Sequence, residues 1–150
     1  MNENQYCISN PTFGDSYLHL AVRNRDINRV KELLDRNFDP NLRNVSGRTP
    51  LHLCAETMQI GLFIYIVSRG GDIFLIDLEG SSCLLLAIIA GATDIVSFIV
   101  RKPGSETLIT RTDPSGLFPI HVAIMESKIK IIKILIEAGI DLKTEYENIS

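Results

Sequence analysis

Gly47-Arg48-Thr49-Pro50-Leu51-His52-Leu53 decides the fold, because the same pattern recurs at fixed intervals on either side of it. Thirty-three residues earlier stands Gly14-Asp15-Ser16-Tyr17-Leu18-His19-Leu20, and 33 later Gly80-Ser81-Ser82-Cys83-Leu84-Leu85-Leu86. A fourth copy, Gly116-Leu117-Phe118-Pro119-Ile120-His121-Val122, follows after 36, which places three extra residues between the third and fourth units, within Lys102 to Thr107. The same offsets relate the apolar pairs Leu33-Leu34, Ile66-Val67, Ile99-Val100 and Leu135-Ile136. Two independent series in one register are the signature of a repeat architecture. A third set joins Asn37, Gly70 and Gly139, each followed two residues on by Asp39, Asp72 or Asp141, while the third unit offers Pro103-Gly104 where the insertion falls.

Each element of the unit has a physical reason. The leading Gly permits a tight turn, and a Ser or Thr two residues later accepts from the free N–H groups that open a helix. Pro50 and Pro119 suit the first helical turn, where a missing N–H costs nothing. A short first helix carries Leu51, Leu53, Cys54 and Ala55 as its apolar stripe. A second helix shows spacings of three and four in Val30, Leu33 and Leu34 and in Ile129, Ile132, Leu135 and Ile136, and it ends at Asn37, Gly70 or Gly139. The expected fold class is therefore all-α, about four helix-turn-helix units stacked so that neighbours bury one another's apolar faces. The third unit, Leu84-Leu85-Leu86-Ala87-Ile88-Ile89-Ala90, suits an interior place, and the first, with Arg23-Asn24-Arg25-Asp26, an end. The expected layout is a tail over 1–12, an array over 13–143 with units of about 13–44, 45–77, 78–113 and 114–143, and a tail over 144–150.

Composition limits the function. The 150 residues are 45% hydrophobic, enough for a substantial core. Fifteen Lys and Arg against 18 Asp and Glu leave a net charge of −3, which exerts no bulk pull on nucleic acid and slightly favours a basic partner segment. The three cysteines, Cys7, Cys54 and Cys83, are odd in number and lack metal-type spacing, which suits a reducing compartment, and two of them serve as small apolar fillers. The N-terminus has no secretory signal pattern, and the longest apolar stretch, Cys83 to Ala92, is too short to span a bilayer. A cytoplasmic or nuclear location follows as the expectation. No phosphate-binding glycine pattern, nucleophile elbow or paired carboxylate points to catalysis, so neither an enzyme nor a cofactor is expected.

The repeated Gly-x-Thr-Pro-Leu-His pattern followed by a second helix and Gly-x-Asp resembles the ankyrin repeat over roughly Phe13 to Lys143. That resemblance implies a solenoid with β-hairpin fingers, a concave binding face and activity confined to recognition of another protein. It also gives His19, His52 and His121 a structural place in the motif. Units about 10 Å apart cannot bring three histidines to one zinc ion, whose ligand bonds are about 2 Å. Gly14 to Val22, Asp39 to Asn44 and Gly47 to Glu56 are similar to segments of the IκB inhibitors of NF-κB/Rel transcription factors, and the longer link before the fourth unit is similar to one in IκB. In length the chain looks most like the vankyrins, truncated viral IκB mimics, which implies an inhibitor acting in a host cell without a signal-dependent degron. The four-unit length also resembles the cyclin-dependent kinase inhibitors, and an adaptor or effector module is a further alternative.

Residues that vary between copies on the fingers and inner helices are free to serve a partner. These are Asp15, Arg23 and Asn24 in the first unit and Arg43, Val45, Ser46, Arg48, Glu56 and Thr57 in the second. Ile76, Leu78, Glu79 and Ile89 follow in the third, and Ser115, Leu117, Met125 and Glu126 in the fourth. Apolar Ile76, Leu78, Leu117 and Met125 at solvent-facing positions point to an interface with a desolvated centre. The apolar last helix, Ile129 to Ile136, leaves weak self-association as an alternative to a fully capped monomer.

Overall fold

A computed structural model describes residues 14–139; the two tails, Cys7 and the residues adjoining the tails lie outside them. Nine helices form among the described residues: α1 (Tyr17–Arg23), α2 (Ile27–Asp35), α3 (Pro50–Glu56), α4 (Ile60–Ser68), α5 (Cys83–Ala90), α6 (Thr93–Val100), α7 (Glu106–Ile109), α8 (Pro119–Met125) and α9 (Ile129–Glu137). Eight of them make four pairs, α1/α2, α3/α4, α5/α6 and α8/α9. The first helices of successive pairs pack on one another as an inner row, and α4, α6 and α9 form an outer row.

The starts of the inner helices follow the local chemistry. Ser16 Oγ accepts from the backbone N–H of His19 at 3.3 Å and Ser82 Oγ from that of Leu85 at 3.1 Å, each satisfying a donor the helix leaves open. In the fourth unit Phe118 replaces the hydroxyl residue; its ring instead meets the His121 ring at 5.7 Å between centroids. Leu33, Ile66, Ile99 and Leu135, one series in the sequence, are all fully buried, each burial contributing about 1.5–3 kcal/mol.

Two features depart from the simple unit. The turn between paired helices places Arg25, Met58, Gly91 and Ser127 at φ of 55–80°, a left-handed conformation that only the third unit assigns to glycine. The insertion forms a helix of its own, α7, where turn and link alone were expected. Ser105 Oγ donates to the Val100 carbonyl at 3.0 Å, and Leu108 and Ile109 are buried, so the three extra residues close one helical turn.

The hairpin fingers are present as tight turns, with no strand among the described residues. Each turn is closed by a backbone pair: Asn44 N–H to Arg48 O at 2.9 Å, Asp77 N–H to Ser81 O at 3.0 Å and Asp113 N–H to Leu117 O at 2.8 Å.

Candidate protein-binding surface

Each finger is held by one acidic or amide side chain. Asn44 Oδ1 accepts from the N–H groups of Ser46 and Arg48, both at 3.0 Å. Asp77 Oδ1 accepts from Glu79 and Ser81 at 2.9 and 2.8 Å, and Asp113 Oδ1 from Ser115 and Leu117 at 2.8 and 2.9 Å. This turn chemistry leaves residues 45, 46, 78, 79 and 115 projecting outward. Asn44, Asp77 and Asp113 were not among the sequence candidates. Their signal was available as an Asn or Asp three residues before each finger glycine.

Neighbouring fingers lie against each other. Leu78 N–H donates to Ser46 O at 3.0 Å, and a side chain at Gly47, whose φ is 75°, would meet Leu78 Cγ at 2.8 Å. Arg43 Nη1 adds a 2.7 Å bond to the Ile76 carbonyl.

Below the fingers, residues 15 and 23 recur as 48 and 56, and the charges change places. In the first unit buried Asp15 accepts from Arg23 Nε at 2.5 Å and from Asn44 Nδ2 at 3.0 Å. In the second, Arg48 pairs with Glu56 at 2.6 Å and with buried Asp77 at 3.2 Å. Burial by itself would lower the Arg48 pKa, but the Glu56 and Asp77 carboxylates outweigh it and raise it. The third and fourth units place Ser81 with Ile89 and Leu117 with Met125 at the same positions. The face thus passes from compensated charge to apolar side chains along the array.

This sorts the residues named from sequence. Asp15, Arg23, Arg43, Arg48, Glu56 and Thr57 are engaged within the array; Thr57 Oγ1 donates to Leu53 O at 2.5 Å and accepts from Gln59 Nε2 at 2.8 Å. Asp15 in particular is withdrawn from solvent, where it accepts from Arg23 and Asn44. Ile76 and Leu117 are half-buried. Asn24, Val45, Ser46, Leu78, Glu79, Ile89, Ser115, Met125 and Glu126 stand exposed, with Leu78 at 77% and Met125 at 70%. Val45 and Leu78 gather at the finger tips, Ile89 and Met125 at matching ends of the packed helices α5 and α8.

His19 and His52 are latches between units. His19 Nδ1 accepts from Ser16 N–H at 3.1 Å, so its Nε2 is the donor to Arg48 O at 2.7 Å. His52 repeats this with Thr49 N–H at 3.0 Å and Ser81 O at 3.1 Å. Burial pushes both pKa values down. No group of three or more His, Cys, Asp or Glu among the described residues is placed to hold a metal ion. Cys54 and Cys83 are buried free thiols, and burial raises both pKa values, that of Cys54 to about 12. No helix among the described residues is long and apolar enough to cross a membrane.

Stacked helix pairs latched through a repeated histidine, with fingers projecting from one edge, define an ankyrin-repeat array, a protein-interaction module. The chain belongs to the ankyrin-repeat family, whose model matches residues 2–77 and 58–146. Among its relatives are the chicken (Gallus gallus) nuclear factor NF-kappa-B p105 subunit, 31% identical over 89% of this chain and 14% of the relative. The pig (Sus scrofa) NF-kappa-B inhibitor alpha is 28% identical over 88% of this chain and 44% of that protein. A tyrosine-protein kinase, HTK16 of Hydra vulgaris, is 26% identical over 89% of this chain and 20% of its own length. The chain therefore spans less than half of each of these proteins, one of which is an enzyme by name.

Proposed function

We propose that this array is an IκB-like inhibitor that sequesters an NF-κB/Rel transcription factor by covering one of its surfaces. The observation that carries the proposal is the row of exposed apolar side chains on the binding face, Leu78, Ile89 and Met125, beside a ladder of ion pairs already compensated within the chain. Such side chains supply the desolvated centre of an interface, and the exposed polar residues beside them supply its rim. The likeness to a p105 subunit and to an NF-kappa-B inhibitor supports the choice of Rel partner. In this reading the chain works without catalysis, in the cytoplasm or nucleus, of a host cell if its source is viral, and its mechanism is occlusion.

The test is a titration of the purified chain against Rel-family dimers, with a cyclin-dependent kinase as parallel bait. Saturable Rel binding that weakens at least about tenfold in Leu78→Ala and Met125→Ala supports the reading. Kinase binding without Rel binding transfers the proposal to the four-repeat kinase inhibitors. Arg48→Ala is an unsuitable probe, since Arg48 holds Glu56 and Asp77 inside the array.

A further inference from the structure

The outer row carries a second apolar surface. A groove of about 610 Å³ runs between α4 and α6, with Ile60 and Ile64 on one wall, Phe98 on the other, and Asp94, Arg101 and Lys102 along its edge. Helix α4, Ile-Gly-Leu-Phe-Ile-Tyr-Ile-Val-Ser, contains no charged residue, although Gly61, Ile64 and Ser68 face solvent.

The fold does not require this. Residue 64 recurs as Lys31 in the first unit and Lys133 in the fourth, and residue 61 as Asn28 and Lys130. Those units fold into the same helix pair with polar side chains there, so apolar character at Ile64 is not set by packing. Gly61 sits within a helix, where glycine costs roughly 1 kcal/mol against alanine, and a side chain added to it would meet nothing within 4 Å. Neither close approach nor a positive φ accounts for it.

The charges define the occupant. Asp94 stands at the N-terminal end of α6 and Arg101 and Lys102 at its C-terminal end. The Lys102 ammonium lies 4.7 Å from the centre of the Phe98 ring, and neither cation makes an ion pair among the described residues. A helix carries acidic residues favourably in its first turn and basic ones in its last. A visiting helix with that polarity matches Arg101 and Lys102 with its acidic start and Asp94 with its basic end only when it runs antiparallel to α6. From Asp94 to Arg101 the groove follows two helical turns, about 10 Å, which accommodates apolar side chains at i, i+4 and i+7.

We propose that the α4/α6 groove docks a short amphipathic helix of a partner protein, acidic at its N-terminal end and antiparallel to α6, independently of the finger face. The test uses a labelled synthetic helix of about 14 residues with Glu in its first turn, Leu at the three apolar positions and Lys in its last turn. A control peptide of equal composition exchanges Glu and Lys. In fluorescence anisotropy the first peptide binds saturably and at least about tenfold more tightly than the control. Ile64→Lys, a residue the first and fourth units already carry there, weakens it about tenfold, and Arg101→Glu reverses the preference between the peptides. Leu78→Ala leaves binding unchanged, and circular dichroism verifies that each variant is folded. Absence of saturable binding, equal binding of both peptides, or binding that survives Ile64→Lys overturns the proposal.

Discussion

His19 reaches from the first helix pair to the finger of the second, its Nε2 lying 2.7 Å from the Arg48 carbonyl oxygen while its Nδ1 accepts from Ser16 N–H. Only the neutral ring does both, because protonation would turn Nδ1 into a donor facing another donor. Burial is the leading cause of the lowered pKa; the Arg48 carbonyl and Asp15 oppose it, and Arg23 reinforces it. His52 has the same arrangement. With folded pKa values below about 6.5, the unfolded chain binds more protons as pH falls through that value, so folding stability is present above about pH 6.5 and declines below it. Urea midpoints measured at about pH 7.5 and about pH 5.5 should show that decline, and His19→Gln with His52→Gln should flatten it. An equal decline in the double variant would locate the effect elsewhere.

Arg48 should matter more for folding than for recognition. Its removal leaves the Asp77 carboxylate fully buried without its cation, although Asp77 Oδ1 keeps its bonds to Glu79 and Ser81. Arg48→Ala is expected to cost about 2–3 kcal/mol by equilibrium denaturation. Glu56→Gln, which leaves the Asp77 pair intact, should cost under about 1 kcal/mol, as its side chain is 32% exposed.

The repeat itself was legible, because the Gly-x-Thr-Pro-Leu-His copies and the paired aliphatics Leu33-Leu34 to Leu135-Ile136 serve the fold identically in every unit. Variation between copies also marks residues that are bonded within the array. Asp15 and Arg23, like Arg48 and Glu56, vary together because a swapped ion pair satisfies one geometry equally well, and single-residue variation conceals such compensation. Helix α7 was hidden because four residues carry no periodicity, and its cause, the Ser105 bond to Val100, is a local side-chain contact. The left-handed turns at Arg25, Met58 and Ser127 were hidden because no glycine marks them.

Those turns give a stability prediction of opposite signs. Ser127 is exposed with φ of 55°, where a side chain is strained, so Ser127→Gly should stabilise the chain by roughly 0.5–1 kcal/mol. Gly91, at φ of 80°, is the same position one unit earlier, and Gly91→Ala should destabilise by about 1 kcal/mol. An added methyl there meets only the flexible Lys128 side chain, whose ammonium is nearest at 3.4 Å, so the cost comes from backbone strain rather than from a clash. Thermal melts of the two variants in parallel check both signs.

Cys54 and Cys83 should be silent towards thiol reagents in the folded chain. Both are fully buried and their pKa values are raised, so the nucleophilic thiolate is scarce and shielded. Mass-mapped alkylation at neutral pH should leave both unmodified and label them on addition of denaturant. Native labelling of Cys83 would show that the α3/α5 contact opens on the timescale of the reaction.

The fourth unit should behave unlike those before it. Val22, Ala55 and Ile88 occupy one repeated position and are all fully buried beneath the following unit, whereas Ile124, the fourth member, is 50% exposed. Ile136 is 45% exposed, while Leu34, its counterpart in the first unit, is 3% exposed. Truncation should therefore be graded by place: Ile88→Ala should cost about 2–5 kcal/mol, and Ile124→Ala less than about 1 kcal/mol, since little burial is lost and no closed cavity forms. The same exposure makes this face the proposed seat of weak self-association. Sedimentation over a wide concentration range should show a rising average mass that Ile124→Lys with Ile136→Lys abolishes, and a constant monomeric mass for the unaltered chain would exclude it.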